Sequence, residues 1–169
     1  MKTRTHDNID SGQAMIELAL VLLFLVSLLL GVFDFARAIR TNNTIANMSR
    51  EGANLASRTA LAQQDIMNTL ADTAQPLNMQ ANGTMIITVL NGVTGGDPTI
   101  PNQYYWSSNT PNFQSKLGTP AHPTTHRLAT LNLQTGQSAN AVEVFYNYQS
   151  LFSSNVARLS RQFYSITVL

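Results

Sequence analysis

Few side chains in this sequence are placed to do chemistry, and the most unusual of them is an acid. Glu17 stands at the head of an apolar run. From Leu18 to Phe33 there is no charged residue, and only Ser27 and Gly31 interrupt the run. A carboxylate in hydrocarbon costs several kcal/mol unless something pairs with it. Five residues before it, Gly12 closes a short polar leader that carries Lys2, Arg4 and His6. The other candidates are weaker. His122 and His126 are four apart, a spacing that holds zinc on a helix, but Pro123 lies between them and the gap has no Glu. With no cysteine, thiolate metal sites, disulfides and a cysteine nucleophile are excluded. No Gly-x-Gly-x-x-Gly and no phosphate loop ending in Gly-Lys-Ser/Thr occurs. Of nine acids, Asp7, Asp10, Glu17 and Asp34 lie in or near the leader and the apolar run, leaving few for paired-carboxylate catalysis. The net charge is +1, and no basic block is interleaved with aromatics. Nucleic acid is therefore not an expected partner. The expectation is a protein that is not an enzyme, with no catalytic residue, cofactor, metal or small-molecule substrate.

The elements that position Glu17 come next. Charged residues are 11% of the chain, well under the roughly 25% of a soluble domain. A helix from Gln13 to Phe33 would be about 31 Å long, close to the ~30 Å hydrocarbon thickness. No second run of that length follows. One reading is a secretory signal peptide, with Lys2 and Arg4 as its basic region and Ala36-Arg37-Ala38 as a small-x-small cleavage site. Against it, the apolar run is longer than the usual ~7–15 residues, and Glu17 sits at its head. A second reading is an uncleaved anchor, which leaves Gly12 and Glu17 unexplained. A third explains both. Gly before a cut, Glu at the fifth position after it, and then an apolar helix resembles the processing site of type IV prepilins.

That resemblance implies a leader of residues 1–12, removed by a membrane prepilin peptidase cutting between Gly12 and Gln13. It also gives Glu17 a role. The new ammonium of Gln13 in one subunit can pair with Glu17 of a neighbour and set the register of assembly. A Glu that merely snorkels at the membrane edge is the plainer alternative. The pattern continues through "GQAMIELALVLLFLVSLLLGVFDFARA" and "REGANLAS". It is similar to the TadE-like family of tight-adherence (Flp-type) pilus proteins over roughly residues 12 to 57. Gly12, Gln13, Ala14, Glu17, Ala19, Asp34, Arg37, Arg50, Glu51, Gly52 and Ala53 stand at matching places. Leu18, Leu23, Ala36 and Asn54 depart from the common aromatic, Pro, Gly and Arg. The resemblance implies a minor pilin or pseudopilin in the bacterial inner membrane. Its single span would be residues 13–38, and its head, residues 39–169, would be extracytoplasmic. The implied partners are the membrane, the prepilin peptidase, other pilin subunits and the assembly platform. Arg37, Arg40, Arg50 and Arg58 follow the helix while only Lys2 and Arg4 precede it, so charge counting opposes that orientation.

At 100° per residue, Glu17, Leu20, Phe24, Ser27, Gly31 and Asp34 share one stripe, which is the expected helix-packing face. Ser27 and Gly31 form a small-x-x-x-small pair. Beyond the membrane, Ser49, Ala53, Ala56 and Ala60 make a second stripe of small residues, and Gly52 marks a place where the helix can kink. A second helix is expected from about Ala60 to Ala74, ended by Pro76. Strands are expected at Thr84–Leu90, Ala141–Phe152 and Phe163–Leu169. In the middle one Val142, Val144, Tyr146 and Tyr148 share a face opposite Glu143, Phe145 and Asn147. A long polar loop is expected over 91–140, with Tyr104, Tyr105 and Trp106 pinning it or meeting a partner. Arg158 and Arg161 fall in a helical or turn segment, Ser153–Gln162. The fold class is α+β: a long membrane helix, a second helix, and an antiparallel sheet of about three strands.

Overall fold

The computed structural model describes residues 6–108, 112–124, 130–131, 133–151 and 160–169. Helix α1 (His6–Arg58) is 53 residues long, which is about 80 Å at 1.5 Å per residue. Helix α2 (Gln63–Thr73) and the single turn α3 (Met79–Asn82) follow. Strands β1 (Gly83–Asn91), β2 (Thr99–Tyr105), β3 (Ser138–Gln149) and β4 (Ser160–Val168) form one antiparallel sheet in the order β2-β1-β3-β4. This is the α+β architecture the sequence implies, with one strand more.

The added strand, β2, lies inside the stretch expected to be loop. Pro101, Asn102 and Gln103 are poor strand formers, and a Pro is tolerated only at a sheet edge, which is where β2 sits. Ser160–Gln162, expected as helix or turn, belong to β4. Arg158 and the rest of that segment lie outside the described residues.

The two faces of the sheet are covered differently. Val142, Val144, Tyr146 and Tyr148 turn toward the helices and join Ile45, Met48, Ile66, Met67, Leu70 and Trp106 in the main core. On the distal face the 112–124 segment supplies Phe113 and Leu117, which pack against Phe145, Ile86, Leu90 and Ala141. What reads as one polar loop is therefore a strand plus a lid over the sheet.

Helix α1 divides into two halves. Its upper half lies across β3 and β4. Ser49 and Ala53 are fully buried there, and Ala56 is half-buried. The Ser49 hydroxyl meets those of Ser165 (2.8 Å) and Thr167 (3.0 Å), which satisfies a polar group that burial alone would penalise. Ala60 is past the helix end. The helix does not break at Gly52. A Cβ there would meet Leu70 Cδ1 at 2.9 Å and Val142 Cγ1 at 3.0 Å. The missing side chain lets α1 approach α2 and β3 closely, and that packing outweighs the roughly 1 kcal/mol helix penalty of Gly. Below the head, Met15 to Phe33 are almost all exposed, Leu18 and Phe24 by 65% each. Helix α1 from Gly12 is long and apolar enough to cross a membrane.

Candidate functional site

The site builds up along α1. At its start, Gly12 and Gln13 lie within the helix, because α1 begins at His6. The Gln13 side-chain amide donates to Glu17 Oε1 at 3.2 Å, one turn away. Leu20, Phe24, Ser27 and Gly31 follow on the same stripe, all exposed. The Ser27 hydroxyl donates to its own helix at Phe24 O (2.8 Å), so it adds little polarity to the surface. Nothing lies within 4 Å of a Cβ placed on Gly31. Among the described residues no hydrogen bond joins Leu20, Phe24, Ser27 or Gly31 to the head.

Asp34 ends the stripe and faces the other way in function, toward the head. The Tyr148 hydroxyl donates to Asp34 Oδ1 at 2.8 Å and approaches its carbonyl oxygen at 3.0 Å. The Leu151 N–H donates to the same carboxylate at 3.2 Å. Arg37 completes the cluster, its guanidinium carbon 5.5 Å from the Tyr148 ring centroid. The Asp-x-x-Arg pair thus clamps the C-terminal end of β3 onto the helix just where the apolar half begins. Tyr148 is buried, with its ring tilted on Phe163 at 5.5 Å. Burial, then the hydrogen bond and charge of Asp34, push its hydroxyl up to about 12, so it stays protonated and donating.

The second motif lies higher. Gly52 and Ala53 are buried in the helix–sheet contact, while Arg50 and Glu51 are exposed. These four neighbours in sequence therefore split between packing and surface. At the far end of the same contact, Asn140 at the start of β3 donates to Ala56 O (3.1 Å). Strand β3 is tied to α1 at both ends and runs down it toward Asp34.

One buried acid has no place in the expected site. Glu143 is fully buried on the distal face of β3. It accepts a short hydrogen bond from Ser115 Oγ, the Lys116 N–H at 2.9 Å and the Tyr164 hydroxyl at 2.9 Å. Lys116 Nζ sits 3.8 Å from the Tyr164 ring centroid. Burial pushes the carboxyl above the ordinary range, and the Ser115, Lys116 and Tyr164 bonds oppose that rise only in part. The acid fastens the 112–124 lid to the sheet. An acid set between Val142 and Val144 is the available signal, but alternation alone assigns it to a solvated face.

The aromatic cluster resolves into different roles. Trp106 is buried and donates to Asn68 Oδ1 (2.8 Å), pinning the end of β2 to α2, whereas Tyr104 stays exposed. His126 lies outside the described residues, and among the described residues no group of acids, histidines or cysteines is gathered to hold a metal.

Comparison with known proteins agrees with the residues that carry this arrangement. No curated protein and no solved structure matches the chain. Residues 12–54 match the family model described as TadE-like protein, about a quarter of the chain, spanning Glu17, the Asp34–Arg37 pair and the Arg50–Ala53 motif. Over that region the chain is similar to the TadE-like family, the one its sequence resembles.

Proposed function

We propose that the chain is a pilin-like structural subunit, a minor pilin or pseudopilin of a tight-adherence pilus. It is held in the bacterial inner membrane by the lower half of α1 until it assembles. The observation that carries this reading is Glu17, alone among exposed apolar side chains and five residues after Gly12, within a region matching the TadE-like model. In this reading a prepilin peptidase removes residues 1–12. The ammonium so created at Gln13 then pairs with Glu17 of a neighbouring subunit. The Asp34–Arg37–Tyr148 clamp fixes the angle between membrane helix and head, so register in the membrane becomes register between heads. No step makes or breaks a bond in a substrate, and the protein is not an enzyme.

The alternative is an extracytoplasmic binding or accessory protein whose anchor is never cut. The continuous helix through Gly12 favours it, because a peptidase needs the scissile bond extended. Gly lowers the cost of unwinding there, being about 1 kcal/mol poorer than Ala in a helix. Glu17→Leu tests the structural role. It makes the span more apolar, so the amount inserted in membranes should hold, while pilus output should fall at least severalfold. Normal pilus output from the Leu variant would remove the pairing role and leave Glu17 as a snorkelling side chain.

A further inference from the structure

Charge is sorted between the two helices that cover the inner face of the sheet. On the upper half of α1, Arg50, Asn54 and Arg58 stand one turn apart and turn away from the sheet, opposite the buried Ile45, Met48 and Gly52. Glu51 is the only acid between Ile39 and Arg58, and it lies at the margin of that stripe. On α2 the pattern is reversed. Asp65, Thr69 and Asp72 share its outer face, opposite the buried Ile66, Met67 and Leu70, and the helix has no basic residue. Arg50, Arg58, Asp65 and Asp72 are all exposed, and among the described residues none of them has an ionic partner within the chain.

The two stripes also match in height. A Cβ on Gly52 would meet Leu70 Cδ1 at 2.9 Å, so Gly52 and Leu70 are about level. Only residues 59–62 link α1 to α2. The Cα steps from Arg58 to Gln63 reach at most about 18 Å. A parallel α2 would put Gln63 about 20 Å below Arg58, so α2 runs back down α1. Counted from the Gly52–Leu70 level at about 1.5 Å per residue, Arg58 is about 9 Å up and Asp65 about 7.5 Å up, while Arg50 and Asp72 are each about 3 Å down.

We propose that this helix layer docks on the helix layer of a second copy, with the Arg50–Arg58 stripe of each chain laid on the Asp65–Asp72 stripe of the other. A two-fold axis parallel to α1 keeps every height, so Arg58 meets Asp65 and Arg50 meets Asp72 in both halves of the contact. Such a contact is isologous and closes as a dimer. Laying α1 on α1 would instead oppose Arg to Arg. Exposed ion pairs contribute little each, so the charges select the partner face rather than supply the affinity. Confinement of both copies to one membrane, through the lower half of α1, raises their effective concentration. The parallel anchors this needs rest on the membrane-held subunit proposed above; cleavage after Gly12 is not required.

The chain has no cysteine, so disulfide cross-linking in native membranes reads the contact directly. Two differently tagged full-length chains are expressed together, one carrying Asn54→Cys and the other Thr69→Cys, the middle positions of the two stripes. Mild oxidation should give the mixed cross-link in at least about fivefold excess over the Asn54→Cys self-product, because the dimer sets α1 against α2. Adding Arg50→Glu and Arg58→Glu to the first chain should cut the mixed product at least about fivefold by setting acid against acid. Adding Asp65→Arg and Asp72→Arg to the second chain as well should restore it, since every pair is then complementary again. A mixed product no greater than the self-product overturns the proposal, and so does one unmoved by the Arg reversals. Failure of the double reversal to restore it also overturns the proposal; the first comparison reverses no charge and stands whether or not the reversed chains fold. Intact mass of the same samples keeps the two accounts apart. A chain that begins at Gln13 without mixed cross-links sinks the dimer alone, and mixed cross-links in a chain that keeps Met1 sink the pilin reading alone.

Discussion

Tyr148→Phe isolates the clamp between helix and head. The substitution deletes one hydroxyl and keeps the ring, so the Phe163 contact at 5.5 Å and the Arg37 guanidinium above the ring persist. What is lost is the donor to Asp34 Oδ1 at 2.8 Å. A hydrogen bond to a charged group contributes about 1.5–3 kcal/mol. The Leu151 N–H still reaches the carboxylate, so Asp34 is not stranded and the loss belongs at the lower end, about 1.5–2 kcal/mol. For a head of this size that corresponds to roughly 5–8 °C in unfolding temperature. Near-UV circular dichroism of the full chain in micelles reads it, because Trp106 and the tyrosines report tertiary packing. Asp34→Ala in the Tyr148→Phe background should cost less than Asp34→Ala alone, since neighbours in one network do not add. A Phe variant within about 0.5 kcal/mol of the parent, or strict additivity in the cycle, would refute the clamp. The elevated Tyr148 hydroxyl adds a sign. The unfolded chain loses this proton near its ordinary value while the folded head holds it to about 12, so stability declines as pH rises through that window.

Gly52→Leu forces a side chain into the 2.9 and 3.0 Å approaches of Leu70 and Val142, and should destabilise the head by about 2–4 kcal/mol in thermal melts, while Gly31→Leu, in open space, should leave the melt unchanged. Glu143→Gln keeps an acceptor for Lys116 and Tyr164 and should be near neutral, whereas Glu143→Leu strands Ser115, the Lys116 N–H and Tyr164 and should cost about 2–4 kcal/mol in urea unfolding. The Glu143→Gln variant should also lose a pH dependence. The folded pKa of Glu143 is raised, so the wild type is progressively destabilised as pH climbs from the ordinary carboxylate value through the raised one, and an amide at this position, which does not titrate, removes that slope.

How much of this is legible in the sequence follows from the range of each interaction. The membrane helix, the Glu17 offset from Gly12 and the two faces of β3 rest on spacings of two to five residues, and all three can be read directly. Asp34 and Arg37 are visible as a pair three apart, but their partner Tyr148 is 114 residues from Asp34, and no local pattern announces it. Gly52 shows its helix penalty in sequence, while its reason, the approach of Leu70 and Val142, exists only in the packed head. Strand β2 is hidden by Pro101 and its polar neighbours, which suit an edge but read as loop. Glu143 reads on the correct face but with the wrong surroundings, because the 112–124 lid that buries it has too few apolar residues to declare itself.

The central claim, that the chain is processed and assembled like a prepilin, turns on its first residue in the membrane. Intact-mass analysis of the protein purified from native membranes should show a chain that begins at Gln13, and Gly12→Leu, which puts a side chain where the peptidase has room for none, should leave the precursor uncut. A wild-type chain that keeps the leader would contradict the account and support the uncleaved anchor. A chain beginning at Ile39 would contradict it in favour of an ordinary signal peptide.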